Sequence, residues 1–107
     1  MLEQSDIQGK AHYVYILSGA GRGPLFVGAS RDIAARLRQH KTGRVSHERF
    51  RIDRLVYAER HHCALKAAQR AKALKSASIQ WLEALISAQN PNWDTLSLEA
   101  PAARRAA

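Results

Sequence analysis

The chain has 107 residues, a formal net charge of +8 at pH 7 and a pI near 10.4, and its 46% hydrophobic content is that of a folded globular protein. This length favours one domain with one modest core, and no apolar run reaches the roughly 18 residues that a membrane helix needs. The single cysteine excludes an intrachain disulfide and the first residues lack the pattern of a signal peptide, so we expect a cytoplasmic protein with no membrane partner.

Two predicted strands follow a polar lead over residues 1–10, which we expect to be flexible. HYVYILS (12–18) is rich in β-branched and aromatic residues, and PLFVGAS (24–30) is a second apolar run. Between them GAGRGP holds three glycines and a proline, which is typical of a turn, so the pair predicts a β-hairpin. The glycines do not predict a phosphate-binding loop, because a strand and not a helix follows them.

A helix is predicted next, capped by Ser30 or Asp32 and running to about residue 42. Arg36 and His40 are four residues apart, so they lie on one helical face beside the apolar positions. Residues 44–50 are polar and basic and predict a loop, whereas residues 52–60 predict a third strand.

Two further helices complete the predicted order, over residues 64–75 and 78–89. We expect Trp81 to be a core residue of the last helix and Trp93 to pack the C-terminal ending, with base stacking as the alternative for both rings. Asn90 and Pro91 stop that helix, and residues 97–107 predict a disordered Ala/Arg tail. This order predicts a single α+β domain over residues 11–96, in which helices flank a three-stranded antiparallel sheet.

The positive charge is concentrated in two regions of the chain. Residues 31–54 contain eight lysines and arginines against three acids, and residues 64–82 contain four with no acid. Clustered cations are the usual footprint of a nucleic-acid partner, and a basic surface without a ligand is the simpler alternative. The predicted nucleic-acid contacts are Arg31, Arg38, Lys41, Arg44, Arg70, Lys72 and Lys75.

The motifs, taken in order, resemble those of the GIY-YIG nuclease family, in particular its short stand-alone bacterial members. YVY (13–15) and FVG (26–28) correspond to the two halves of the name-giving motif. A helix with an arginine and, four residues later, a histidine follows, as in the family. LVYAE (55–59), the helix around residues 70–74 and the NPNW ending (90–93) extend the resemblance over residues 12–95.

This resemblance implies phosphodiester cleavage. In the family a tyrosine, or a water that it assists, supplies the nucleophile, an arginine steadies the phosphate, and a glutamate holds one divalent metal ion. The matching positions here are Tyr15, Arg36, His40 and Asn90. These four residues are the predicted catalytic set, either active or vestigial.

Two positions depart from the family pattern. RAKALK (70–75) corresponds to Arg-Glu-x-x-Leu-Lys, so Ala71 stands at the metal-binding glutamate, and Phe26 stands at the second-motif tyrosine. Alanine cannot bind a metal ion, the neighbouring lysines would repel one, and phenylalanine lacks a hydroxyl. We expect no cofactor, and Mg²⁺ or Mn²⁺ only if the protein is active. Glu59 and Glu83 remain open as substitute ligands.

The sequence therefore predicts a domain that binds nucleic acid, with DNA as the first choice, and whose catalysis is lost or impaired. An active metal-dependent endonuclease is the first alternative, and a protein-interaction module on the same fold is the second. His61-His62-Cys63 resembles a set of metal ligands, but no second cluster lies at a zinc-site spacing. We interpret it as a polar turn between a strand and a helix.

Overall fold

The computed structural model describes residues 11–19, 21–41 and 52–96 of the chain. Six elements follow one another there: β1 His12–Ser18, β2 Leu25–Ser30, α1 Ile33–Lys41, β3 Arg54–His61, α2 Ala64–Lys75 and α3 Ile79–Gln89. The predicted order and the α+β class are confirmed. The predicted lead, the loop over residues 44–50 and the C-terminal tail lie outside the described residues. Within the described ranges, no helix has the length and apolar character needed to cross a membrane.

The sheet has the strand order β2-β1-β3, with both pairs antiparallel, so β1 is central and β2 is an edge strand. The predicted hairpin of β1 and β2 is confirmed. Tyr15 on β1 lies opposite Gly28 on β2 and Ala58 on β3. Because directly paired residues point to the same side of a sheet, these three positions share one face.

Helices cover both faces of the sheet and form two apolar clusters. On one face Leu74 of α2 and Ile86 of α3 pack in the same cluster as Val14. On the other face Ile33 of α1 packs in the same cluster as Tyr15. Burying a side chain of this size stabilises the fold by about 1.5–3 kcal/mol, so the helices are held by their apolar contacts with the sheet.

Side-chain caps fix where two of the helices begin. The Asp32 carboxylate accepts the Ala35 N–H at 3.0 Å, so Asp32 caps α1, and the Ser30 hydroxyl in turn accepts the Asp32 N–H at 2.9 Å. Ser78 caps α3 by accepting the Trp81 N–H at 3.1 Å. Each cap satisfies a backbone donor that the first helical turn leaves without a partner.

The segment after α3 folds back onto β3 and completes the core. Asn90 donates to the Val56 carbonyl at 3.0 Å and to the Asp94 carbonyl at 2.9 Å, and its own side-chain oxygen accepts the Asp94 N–H. Trp93 is only 1% exposed and donates its indole N–H to Ser87 at 2.9 Å. The expectation that Trp93 packs the C-terminal ending is confirmed.

The expectation that Trp81 belongs to the core is wrong, because 48% of this residue is exposed. Leu82 and Ile86, four positions apart on one face of α3, are the residues that this helix buries. Trp81 points instead to the side of α3 that faces α2, and no described element covers it there. The apolar pattern of a helix shows which residues could be buried, but it does not show which of them a neighbouring element covers.

Candidate nucleic-acid interface

A pocket of about 370 Å³ lies at the β2 edge of the sheet, where α1 and α2 approach from opposite faces. We call it the cationic pocket, and the described residues that line it are Phe26, Gly28, Ala29, Arg36, Ala68, Ala71, Lys72 and Lys75. Three of these side chains are cations and none is a carboxylate. An unbalanced group of cations favours an anionic ligand.

Tyr15 lies directly behind the Gly28 wall of the cationic pocket. A methyl group at Gly28 would lie 2.6 Å from the Tyr15 hydroxyl oxygen and 2.9 Å from the Phe26 ring, so only glycine allows the tyrosine ring to cross here. Tyr15 is 1% exposed, and its hydroxyl has no hydrogen-bond partner among the described residues. Burying a hydroxyl without a hydrogen-bond partner costs stability.

α1 supplies Arg36 to the pocket and His40 to the layer behind it. Arg36 donates one N–H to the Gln39 side chain at 3.1 Å, while its buried Nε has no partner in the part of the chain that the structure describes. The His40 ring meets the Phe26 ring edge to face at 4.6 Å between centroids. Arg36 thus lines the cationic pocket with its Nε buried, and His40 contacts the aromatic wall.

Ala71 stands where the family resemblance places a metal-binding glutamate. Its side chain lines the pocket, and Lys72 and Lys75 line it as well. A divalent ion such as Mg²⁺ needs hard oxygen ligands, usually one or two carboxylates, and two ammonium groups repel it. Among the described residues no three His, Cys, Asp or Glu side chains are grouped for a metal ion. The residues of this pocket do not fit a divalent cation.

Glu59, one of the two possible substitute metal ligands, makes its hydrogen bonds outside the cationic pocket. Arg70 donates to both of its carboxylate oxygens, at 2.9 and 3.2 Å, and Tyr57 donates at 2.5 Å. His61 lies 2.8 Å from the same carboxylate. Glu59 is not part of the cationic pocket, and neither is Glu83 on α3.

The contacts of this four-residue cluster shift the pKa values of Glu59 and Tyr57. Burial acts to raise the pKa of the Glu59 carboxyl, but hydrogen bonds from Arg70, Tyr57 and His61 bring it below its ordinary value of 4.5. Burial, with the hydrogen bond to Glu59, raises the pKa of the Tyr57 hydroxyl to about 12. Glu59 therefore stays ionised as the acceptor at neutral pH. Residues 57, 59 and 61 alternate along β3, so their shared face could have been read from the sequence.

The other predicted site residues fall into three groups. Lys72 and Lys75 are exposed and line the cationic pocket, and Arg31 and Arg38 are exposed near the two ends of α1. The Lys41 side chain and Arg44 lie outside the described residues. The structure does not bring Arg70 or Asn90 to the pocket: Arg70 is paired with Glu59, and Asn90 holds the C-terminal turn.

The run His61-His62-Cys63 is the strand-to-helix turn that the sequence predicts. His61 ends β3, His62 is exposed, and Cys63 precedes the first residue of α2. The three residues are not grouped as metal ligands in the described structure.

This small α+β domain has a pocket lined by an arginine and two lysines at the edge of its sheet, with a buried tyrosine of the central strand behind it, an arrangement suited to an anionic ligand. The family model described as the GIY-YIG catalytic domain matches residues 11–87, and the chain belongs to that family. Membership gives it a nuclease-like function related to nucleic acid. No curated protein and no solved structure was found to match it.

Replacing Tyr15 with phenylalanine is expected to raise the free energy of unfolding by about 1 kcal/mol, because it removes a buried hydroxyl that has no partner among the described residues. Urea unfolding followed by circular dichroism measures the change. Tyr57→Phe is the matched control, since it removes a hydroxyl that donates to Glu59, and it should destabilise by about 1–2 kcal/mol. Equal destabilisation by both variants would show that the Tyr15 hydroxyl has a structural partner.

Proposed function

We propose that this domain binds nucleic acid through its phosphates, with DNA as the expected ligand, and that metal-dependent cleavage is lost or strongly impaired. The observation that carries the proposal is the lining of the cationic pocket. Its described lining combines Arg36, Lys72 and Lys75 with no carboxylate, and it has Ala71 at the position where the family resemblance places a metal ligand.

Binding follows from the chemistry of these three cations. A guanidinium presents several donors in a fixed plane and suits the oxygens of a phosphate, and the Arg36 side chain lines the pocket. Lys72 and Lys75 add mobile positive charge on the facing helix. Contacts of this kind hold the backbone of a nucleic acid without reading its sequence.

The loss of cleavage follows from the same lining. Phosphodiester cleavage needs an activated nucleophile and a stabilised leaving oxygen as well as a bound phosphate. Tyr15 retains a hydroxyl behind the pocket, but Phe26, at the second tyrosine position, has none. Arg36 can stabilise charge on the phosphate, whereas Lys72, Lys75 and Ala71 provide no carboxylate to hold a metal ion.

The test is the salt dependence of binding, measured by fluorescence anisotropy with labelled single-stranded and duplex DNA and RNA. The logarithm of the affinity should fall linearly with the logarithm of the salt concentration, because each phosphate contact releases counterions. Lys75→Ala should lower the slope on single strands by about 0.7, the value for one phosphate contact. Lys66→Ala is the control, since Lys66 is exposed on the same helix and does not line the pocket.

An affinity independent of salt would overturn the proposal, as would equal effects of Lys75→Ala and Lys66→Ala. A protein-interaction module on this fold would show neither DNA nor RNA retention at moderate salt despite the net charge of +8.

A further inference from the structure

A second pocket lies on the other flank of α2. It measures about 360 Å³ and occupies the groove between α2 and α3. We call it the Trp81 groove, and its lining consists of Arg70, Ala73, Leu74, Ala77, Ser78 and Trp81. The α2 residues of the cationic pocket are Ala68, Ala71, Lys72 and Lys75. At about 100° per residue these two sets point to opposite flanks of one helix, so α2 is the ridge between the pockets.

The Trp81 groove suits a flat, aromatic ligand. Trp81 is 48% exposed, although a tryptophan gains most from burial, and its ring stands beside the small side chains of Ala73 and Ala77. The small residues leave the ring face accessible. A groove of this kind takes a planar ring by stacking, and every nucleic-acid base has a face that can stack.

The charge of α2, the helix beside the groove, favours a nucleic acid over an apolar peptide. α2 contains no acidic residue, and it presents Lys72 and Lys75 on its far flank. Glu59 is the nearest carboxylate in sequence to this helix, and Arg70 binds it with two hydrogen bonds. Glu83 is two residues from Trp81 on α3, and residues two apart do not face each other on a helix. A polyanion can therefore approach the groove across α2.

We propose that the Trp81 groove is a stacking subsite for an unpaired base of a strand whose backbone lies in the cationic pocket. The inference rests on the proposed function and makes it more specific, since it names a single-stranded ligand. In a duplex both faces of each base are covered by its neighbours. A helix is about 10–12 Å across and a stacked strand advances about 3.4 Å per nucleotide, so the base lies about three to four nucleotides from the bound phosphate.

The experiment compares two single-stranded ligands of roughly 12 nucleotides, oligo(dT) and an abasic strand with the same number of phosphates. Trp81→Ala should weaken oligo(dT) binding by about 5- to 150-fold and leave abasic-strand binding unchanged. The salt slope should stay the same, because no phosphate contact is removed. Trp81→Phe, which retains an aromatic face, should recover most of the affinity, whereas Trp81→Leu should not.

Ile79→Ala is the matched control, because Ile79 is 56% exposed on the same helix and does not line the groove. Circular dichroism verifies that each variant is folded. The stacking subsite is overturned if Trp81→Ala binds oligo(dT) as the natural sequence does, or if Trp81→Leu binds as well as Trp81→Phe. Equal, salt-sensitive binding of both strands by the natural sequence would refute the subsite and leave phosphate binding intact. Binding of neither strand would refute both.

Discussion

The Phe26→Tyr/Ala71→Glu variant is expected to cleave nucleic acid in the presence of Mg²⁺ or Mn²⁺, whereas the natural sequence is expected not to. Residue 71 lines the cationic pocket, so a glutamate there would add the carboxylate that the lining lacks. A tyrosine at position 26 would return the missing hydroxyl beside Tyr15 and His40, whose rings both lie close to Phe26. Cleavage is measured on duplex, single-stranded and branched DNA and RNA.

The matched control for this gain of activity is Phe26→Tyr/Ala71→Gln, which has the same shape without the charge and should not cut. Adding Arg36→Ala to the active variant should abolish cleavage, because it removes the guanidinium that lines the same pocket. Residue 71 is only 5% exposed, so circular dichroism must show that the glutamate variant is folded.

Cleavage by the natural sequence that Arg36→Ala abolishes would contradict the main proposal and establish the active-endonuclease alternative. Glu59→Gln and Glu83→Gln would then identify the carboxylate that replaces the lost ligand. If the glutamate variant binds DNA but does not cut it, the alignment of residue 71 with the family glutamate is wrong.

Glu59→Gln is expected to lower the free energy of unfolding by about 2 kcal/mol at neutral pH, the worth of a hydrogen bond to a charged group. The change removes the charge that Arg70 and Tyr57 share, while a similar shape is retained. Urea unfolding measures the loss, and Glu83→Gln is the control because Glu83 lies outside the cluster. A loss as small as that of Glu83→Gln would show that the cluster does not stabilise the fold.

The effect of Glu59→Gln should depend on pH in a defined direction. The folded protein holds the pKa of the Glu59 carboxyl below its ordinary value of 4.5. A carboxylate with a lowered pKa stabilises the fold fully above the unfolded pKa, and the stabilisation is lost as the pH falls through the folded value. The difference in unfolding free energy between the natural sequence and Glu59→Gln should therefore shrink as the pH falls below about 4.5.

The elements with strong local signals could be predicted from the sequence, and the contacts between them could not. The bounds of α2 agree with the predicted 64–75, because alanine and lysine favour a helix over that whole run. Asp32 and Ser30 were both possible caps of α1. In the structure Asp32 caps the helix, and the Ser30 hydroxyl accepts the Asp32 N–H. Trp81 was wrongly predicted to be buried, because its exposure depends on how much of the α3 surface α2 covers.

In the candidate site, too, some residues could be predicted from the sequence, whereas the contacts between them could not. The family resemblance names Tyr15, Arg36 and Ala71; in the structure Arg36 and Ala71 line the cationic pocket, and Tyr15 lies behind its Gly28 wall. The close crossing of Tyr15 over Gly28 depends on strand register, which local patterns do not reveal. The pairing of Arg70 with Glu59 joins α2 to β3, so charge counting alone could not remove Arg70 from the predicted phosphate contacts.

The packing of Trp93 bears on where the domain can be truncated for use in a fusion protein. The family match stops at residue 87, but Trp93 lies in the core beyond it, and Arg22 of the β1–β2 turn stacks over its ring at 4.9 Å. Leu96 also donates its backbone N–H to Leu55 of β3. We propose that a transferable form of this domain ends no earlier than Leu96. A fusion designed on the family boundary would lack Trp93, the residue that connects the first hairpin to the last helix.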